Sequence, residues 1–172
     1  LTLGSFEISP AWFQSLNPLF IIALAPVFAW LWVKLGNRQP STPRKFAYGL
    51  FFAGLSFVVM IFPAYFNGTD TLANPMWLGL SFFLVVLGEL LLSPVGLSAT
   101  TKLAPAAFAA QTMSLWFMTN ASAQAINAQV VKLYKPETEI MYFGVIGAIA
   151  IGLGVILYLM TPVIQKYMRG IR

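Results

Sequence analysis

Apolar residues run along this chain in five blocks, at 12–33, 46–66, 76–97, 108–131 and 140–164. Each is close to the roughly 20 helical residues that a bilayer crossing needs. The gaps between them, 34–45, 67–75, 98–107 and 132–139, hold the turn and charge signals, with Pro40 and Pro43 in the first. The pattern predicts an all-α integral membrane protein with five transmembrane helices. No internal repeat and no long low-complexity segment interrupts it.

Composition points the same way. Hydrophobic residues make up 59% of the 172 and charged residues 9%, against about 25% charged in ordinary soluble proteins. Mean hydropathy is +0.79. A soluble domain of this composition would have no hydrated shell. There are no cysteines and no histidines, which excludes a disulfide framework, a thiol nucleophile and the usual zinc sites. No nucleophile–base pair or phosphate-binding loop stands at a membrane face, so neither an enzyme nor a cofactor is expected.

The charges fix an expected topology. Gaps on one side of the membrane would hold Lys34, Arg38, Arg44, Lys45, Lys102, Lys166, Arg169 and Arg172, all basic. The other side would hold Glu7, Asp70, Lys132, Lys135, Glu137 and Glu139. The positive-inside rule assigns the first set, and with it the C-terminus, to the cytoplasm. This asymmetry accounts for the net charge of +5 without a nucleic-acid partner. The chain begins at Leu1 with no basic stretch ahead of an apolar core, so no signal peptide is read. Five is an odd number of spans, and further helices are expected upstream.

A few polar residues sit at membrane depth, where they are expensive. Glu89 lies just past the middle of the third span, at a cost of about 3 kcal/mol on insertion scales. It is expected to face the bundle interior or an aqueous cavity and to carry a proton, or else to pair with a cation on another helix. No basic residue of this chain lies at that depth, so such a partner would come from elsewhere. Ser93 follows four residues later on the same helix face, and Pro94 and Gly96 weaken the helix just below, as in broken helices that line cavities. In the first span Trp12 reads as an interfacial anchor. Gln14 and Asn17 share a face there, and Asn17 fits either a substrate contact or a helix–helix hydrogen bond.

The fourth span is the most polar, with Gln111, Thr112, Ser114, Thr119, Asn120, Ser122, Gln124, Asn127 and Gln129. It is expected to run beside an aqueous cavity. Trp116, Asn120 and Asn127 share one stripe, with Trp116 either an aromatic wall of that cavity or a core packing residue. In the last span Gly144, Ala148 and Gly152, at four-residue spacing, predict close helix packing. Gly49, Gly54 and Ser56 of the second span also read as structural.

Three runs carry a resemblance. Trp12-Phe13-Gln14-Ser15-Leu16-Asn17-Pro18, Gly88-Glu89-Leu90-Leu91-Leu92-Ser93-Pro94-Val95-Gly96 and Ser114-Leu115-Trp116-Phe117 resemble the proton-dependent oligopeptide transporters of the major facilitator superfamily. The resemblance covers essentially the whole chain and corresponds to helices eight to twelve of a twelve-helix carrier, the C-terminal helical bundle less one helix.

It implies a symporter in the bacterial cytoplasmic membrane that imports di- and tripeptides with protons by alternating access. Its partners would be peptides, protons, lipid and the missing N-terminal helices. On this resemblance Glu89 matches the carboxylate that receives the peptide amino terminus and couples to protons. Asn17 matches a peptide-contacting asparagine, Trp116 a pocket tryptophan and Ser93 a pocket serine. Asn120 stands where the family often has a serine. Two other readings stay open: a carrier of the same superfamily for another small substrate, such as nitrate, and a small accessory membrane subunit acting by helix contacts.

Overall fold

The computed structural model describes residues 2–3, 6–7, 15–67 and 74–168. Thr2–Leu3 (β1) and Phe6–Glu7 (β2) form a two-rung antiparallel pair, with Thr2 opposite Glu7. This small element was not foreseen from hydropathy. Everything else of regular form is helical: α1 (Leu16–Leu35), α2 (Thr42–Val59), α3 (Ile61–Asn67), α4 (Pro75–Leu103), α5 (Ala109–Val130) and α6 (Glu139–Tyr167), joined in part by short 3-10 turns. Trp12, Gln14, Asp70, Arg169 and Arg172, which entered the reading of anchors and charges, lie outside the described residues.

Helix ends follow local chemistry. Asn74 caps α4, its Oδ1 accepting from the Met76 N–H at 2.9 Å, and Pro75 occupies the first helical position, where its missing N–H is no loss. Gly36 ends α1 with φ of +47°, a conformation that suits a residue without Cβ, and its N–H returns to the Trp32 carbonyl. The predicted second span is divided at Met60 into α2 and α3. Pro63 is the cause: its ring crowds the carbonyl four residues back, at Val59, where α2 stops.

Four segments are long and apolar enough to cross a membrane: Leu16–Arg38, Thr42–Phe66, Pro75–Lys102 and Pro136–Tyr167. The remaining long helix, α5, has 22 residues, enough length for a crossing but with its many amides and hydroxyls too polar to stand beside those four.

The centre of the bundle is α2, packed antiparallel against α4 on one side and α6 on the other, while α1 and α5 each lean on α4. Glycines set both crossings of α2. A Cβ at Gly49 would lie 3.0 Å from the Gly88 carbonyl oxygen, and one at Gly88 would lie 2.8 Å from that of Gly49. At the α6 crossing, a Cβ at Gly54 would meet the Gly147 carbonyl at 2.9 Å and Ile151 Cγ1 at 2.6 Å. Among lipids, helix association rests on such close backbone approach rather than on a hydrophobic drive. Ser56, 1% exposed, bonds back to the Ala53 carbonyl at 2.6 Å, and its own carbonyl accepts from Ser81 Oγ of α4 at 3.1 Å. Gly49, Gly54 and Ser56 are thus structural, as read from the sequence.

The packing stripe of α6 is different from the expected one. A Cβ at Gly152 would meet nothing within 4 Å, one at Gly144 would touch only Ile61 Cδ1 at 3.6 Å, and Ala148 is exposed. The buried positions are Gly147, Gly154 and Thr161, continued by Met168. Their seven-residue spacing is two helical turns. Four-residue spacing of small residues selected the wrong face of the helix, because α6 carries small residues on both.

At the end where α5 turns into α6, Tyr134, Tyr142 and Phe143 form a ring cluster with centroids 5.4–6.0 Å apart. Tyr142 also donates to the Val130 carbonyl at 3.3 Å, fastening α6 to the end of α5. Large apolar side chains such as Ile22, Val33, Ile149 and Leu159 are exposed, the inverse of a soluble core. No residue of α1 or α5 is buried.

Candidate functional site

Glu89 stands on α4 and is half-buried. Among the described residues its carboxylate makes no hydrogen bond and no ion pair. A charge at membrane depth needs water, a proton or a cation, so this side chain is chemically unfinished within the described bundle. Ser93, four residues on, is exposed on the same face.

Gly96 continues that face, seven residues from Glu89 and three from Ser93. Its missing side chain is filled by Trp116 of α5: a Cβ at Gly96 would overlap the indole outright. Phe46 of α2 meets the same ring edge-on, with centroids 6.5 Å apart and planes at 82°. Trp116 is therefore wedged where α4 and α5 meet, about 10 Å along the axis from Glu89 at 1.5 Å per residue, on the stripe that carries the carboxylate. Of the two readings of Trp116, the structure describes packing, against Gly96 and Phe46. Gly96, read from the sequence only as a helix weakener, is what seats it. Its i, i+3, i+7 relation to Ser93 and Glu89 was the available signal.

The helix does not break beside this stripe. α4 runs without interruption for 29 residues with Pro94 inside it. A proline removes a single N–H from the ladder, and packing from α2 holds the turn. Thr100 Oγ1 donates to the Gly96 carbonyl at 2.7 Å in the next turn.

Asn120 is exposed one turn beyond Trp116 on α5, and its Nδ2 reaches the Trp116 carbonyl at a long 3.4 Å. Thr119 donates to the same carbonyl at 2.6 Å. Gln124 and Asn127 are exposed further along, as are Leu115, Phe117 and Ile126, so α5 is uncovered on its polar and apolar sides alike among the described residues.

Asn17, near the start of α1, is half-buried. Its Oδ1 is fully covered yet has no hydrogen-bond partner among the described residues, the mark of an acceptor awaiting a donor. One turn later Phe20 packs edge-on against Phe83 of α4 at 5.7 Å. This sets Asn17 toward the N-terminal end of α4 relative to Glu89. The arrangement joins Trp116, Gly96 and Asn120 directly, puts Glu89 and Ser93 on their stripe, and leaves Asn17 on the neighbouring helix without a bond to any of them.

The described bundle is that of a polytopic helical membrane protein, with an unpaired carboxylate at Glu89, an orphaned amide oxygen at Asn17 and a wedged indole at Trp116. The fold is of the major-facilitator type, and the chain belongs to the POT family, whose PTR2 profile matches residues 1–154. The chain is 65% identical over 171 residues to "Uncharacterized transporter YclF" of Bacillus subtilis (strain 168), covering 99% of this chain and 35% of that protein. To the "Di-/tripeptide transporter" of Lactococcus lactis subsp. cremoris it is 48% identical over 168 residues, 98% of this chain and 34% of that one. A crystal structure of a mutant POT peptide transporter in complex with alafosfalin superposes with a TM-score of 0.93 at 65% identity, over 99% of this chain and 35% of that one. The chain thus spans about a third of the length of the relatives it matches.

Proposed function

We propose that this chain is the C-terminal part of a proton-coupled symporter that imports di- and tripeptides across the bacterial cytoplasmic membrane. The carrying observation is the stripe of α4 on which Glu89 stands unpaired, Ser93 is exposed and Gly96 seats Trp116. Kinship to a relative named as a di-/tripeptide transporter supports the substrate class.

In this reading all five long helices cross the membrane, α5 included. The polar side of α5 and the uncovered side of α1 face the helices of the other half across an aqueous cavity. Glu89 receives the peptide amino terminus and exchanges a proton, its carboxylate being the charged group at depth. Asn17 contacts the peptide through its side-chain amide, and Trp116 forms the wall against which a side chain rests. Ser93 and Asn120 lie within the same pocket as hydrogen-bonding groups. The two halves rock about this midplane site. The basic ends of α1, α2 and α4 are cytoplasmic, as is the C-terminus.

The test is uptake of a labelled dipeptide by the whole protein in proteoliposomes, with and without an inward proton gradient, beside Glu89→Gln. Accumulation driven by the gradient is expected for the wild type. The variant is expected to lose accumulation and keep downhill exchange. Full-rate accumulation by Glu89→Gln would remove Glu89 from proton coupling, and absence of dipeptide uptake by folded wild type would remove the substrate assignment.

A further inference from the structure

The ends of α1, α2 and α4 enclose a cavity of about 260 Å³, away from the stripe of Glu89, lined by Trp32, Gln39, Thr42, Lys45, Ser98 and Lys102 among others. A second space of about 260 Å³ adjoins it, sharing Gln39 and Lys102. Lys45 is only 9% exposed. Its ammonium lies 4.1 Å from the centre of the Trp32 ring and donates to Gln39 Oε1 at 2.9 Å. Gln39 is itself fixed by its Nε2 donating to the Trp32 carbonyl at 2.7 Å. The lysine is therefore built into place, and one of its three N–H donors is used.

Lys102 lines the same cavity and, among the described residues, makes no hydrogen bond or ion pair. Glu137 and Glu139 stand at the junction of α5 and α6, at the opposite end of the bundle, and Glu89 is not in the lining. A largely covered ammonium with a second cation beside it and, among the described residues, no carboxylate in the lining favours an anion there. The hydroxyls of Thr42 and Ser98 add two further donors to the lining. Apolar Pro94, Val95 and Ala99 complete the wall toward the membrane interior, and Lys34, stacked on Trp30, and Arg44, over Tyr158, add cations at the same membrane end.

We propose that this cavity is a phosphate-binding site, with Lys45 and Lys102 clasping one phosphate group and Thr42 and Ser98 completing its hydrogen bonds. At the end of membrane helices, with an apolar wall continuing inward, the phosphate of an anionic phospholipid is the occupant that meets both halves of the lining. Basic pockets between transmembrane helices favour such headgroups. The inference does not depend on which substrate the carrier moves.

The experiment uses the whole protein, equilibrated in bilayers of mixed phosphatidylglycerol and phosphatidylcholine, with retained lipid counted by native mass spectrometry. Phosphatidylglycerol is expected to be retained in preference. Lys102→Gln, at an exposed position that leaves the fold intact, is expected to lower that retention about fivefold, the effect of one lysine near a headgroup. Lys45→Gln with Lys102→Gln is expected to abolish the preference. Inorganic phosphate that displaces the lipid, or that protects Lys102 from amine modification in its absence, supports the phosphate chemistry with a solute source. Equal retention of the two lipids with no protection by phosphate overturns the site, as does an unchanged preference in Lys102→Gln.

Discussion

Replacing Gly96 by alanine tests the seat of Trp116 directly. The added Cβ would occupy volume now filled by the indole, and Gly96 is itself buried. Overpacking of this kind costs about 1–3 kcal/mol. The ring is taken as the yielding partner, its contact with Phe46 being edge-on. If the strain is relieved by shifting Trp116 out of the peptide pocket, about 2 kcal/mol is lost from binding, roughly thirtyfold in dipeptide affinity. The assay is the half-saturating dipeptide concentration for gradient-driven uptake by wild type, Gly96→Ala, Trp116→Ala and the double variant. Residues in contact couple, so Gly96→Ala is expected to be nearly silent once the indole is gone. An equal penalty in both backgrounds would mean that Gly96 acts through the helix alone, and no penalty in the wild-type background would mean that the ring position does not matter to binding.

Three stability predictions rest on the helix contacts and caps. Gly54→Val is expected to lower the thermal midpoint through a loss of about 1–3 kcal/mol, since even its Cβ falls 2.6 Å from Ile151 Cγ1. Gly152→Ala, with nothing within 4 Å, should change stability by less than about 0.5 kcal/mol; the reverse ranking in a melting series would restore the Gly144–Gly152 stripe. Asn74→Ala removes the side-chain cap of α4 and should cost about 1 kcal/mol, seen as faster amide exchange in the first turn, whereas unchanged exchange would show that Pro75 alone starts the helix.

Helix positions were legible because apolar run length against bilayer thickness is a coarse physical constraint, and four of the runs satisfy it by composition. Rotation about each helix axis was not. In water, an amphipathic pattern tells which face is inside. In lipid both faces of α6 are apolar, and small residues occur on both, so Gly144 and Gly147 could be told apart only by their neighbours on α2. The same ambiguity hid Lys45. Read along the chain it is one of several cations in a connecting gap, yet in the fold it is turned inward onto Gln39, six positions before it, and onto Trp32, which the return at Gly36 brings back to it.

The polar positions show the converse. A charge in an apolar run has few physical explanations, so Glu89 could be singled out from sequence, and among the described residues its carboxylate has no partner. Trp116 was harder, because an indole at membrane depth is equally a wall and a wedge, and its packing depends on an absence, the missing Cβ of Gly96, that carries no hydropathy signal. Glu89, Ser93 and Gly96 form one i, i+4, i+7 stripe, so the carboxylate and the seat of the tryptophan are rigidly linked by a single helix. A motion that tilts α4 would carry both together, and the distance between the charge and the seat of the indole would hold. That rigidity is what a site requires if it is to present the same contacts to a peptide from both faces of the membrane.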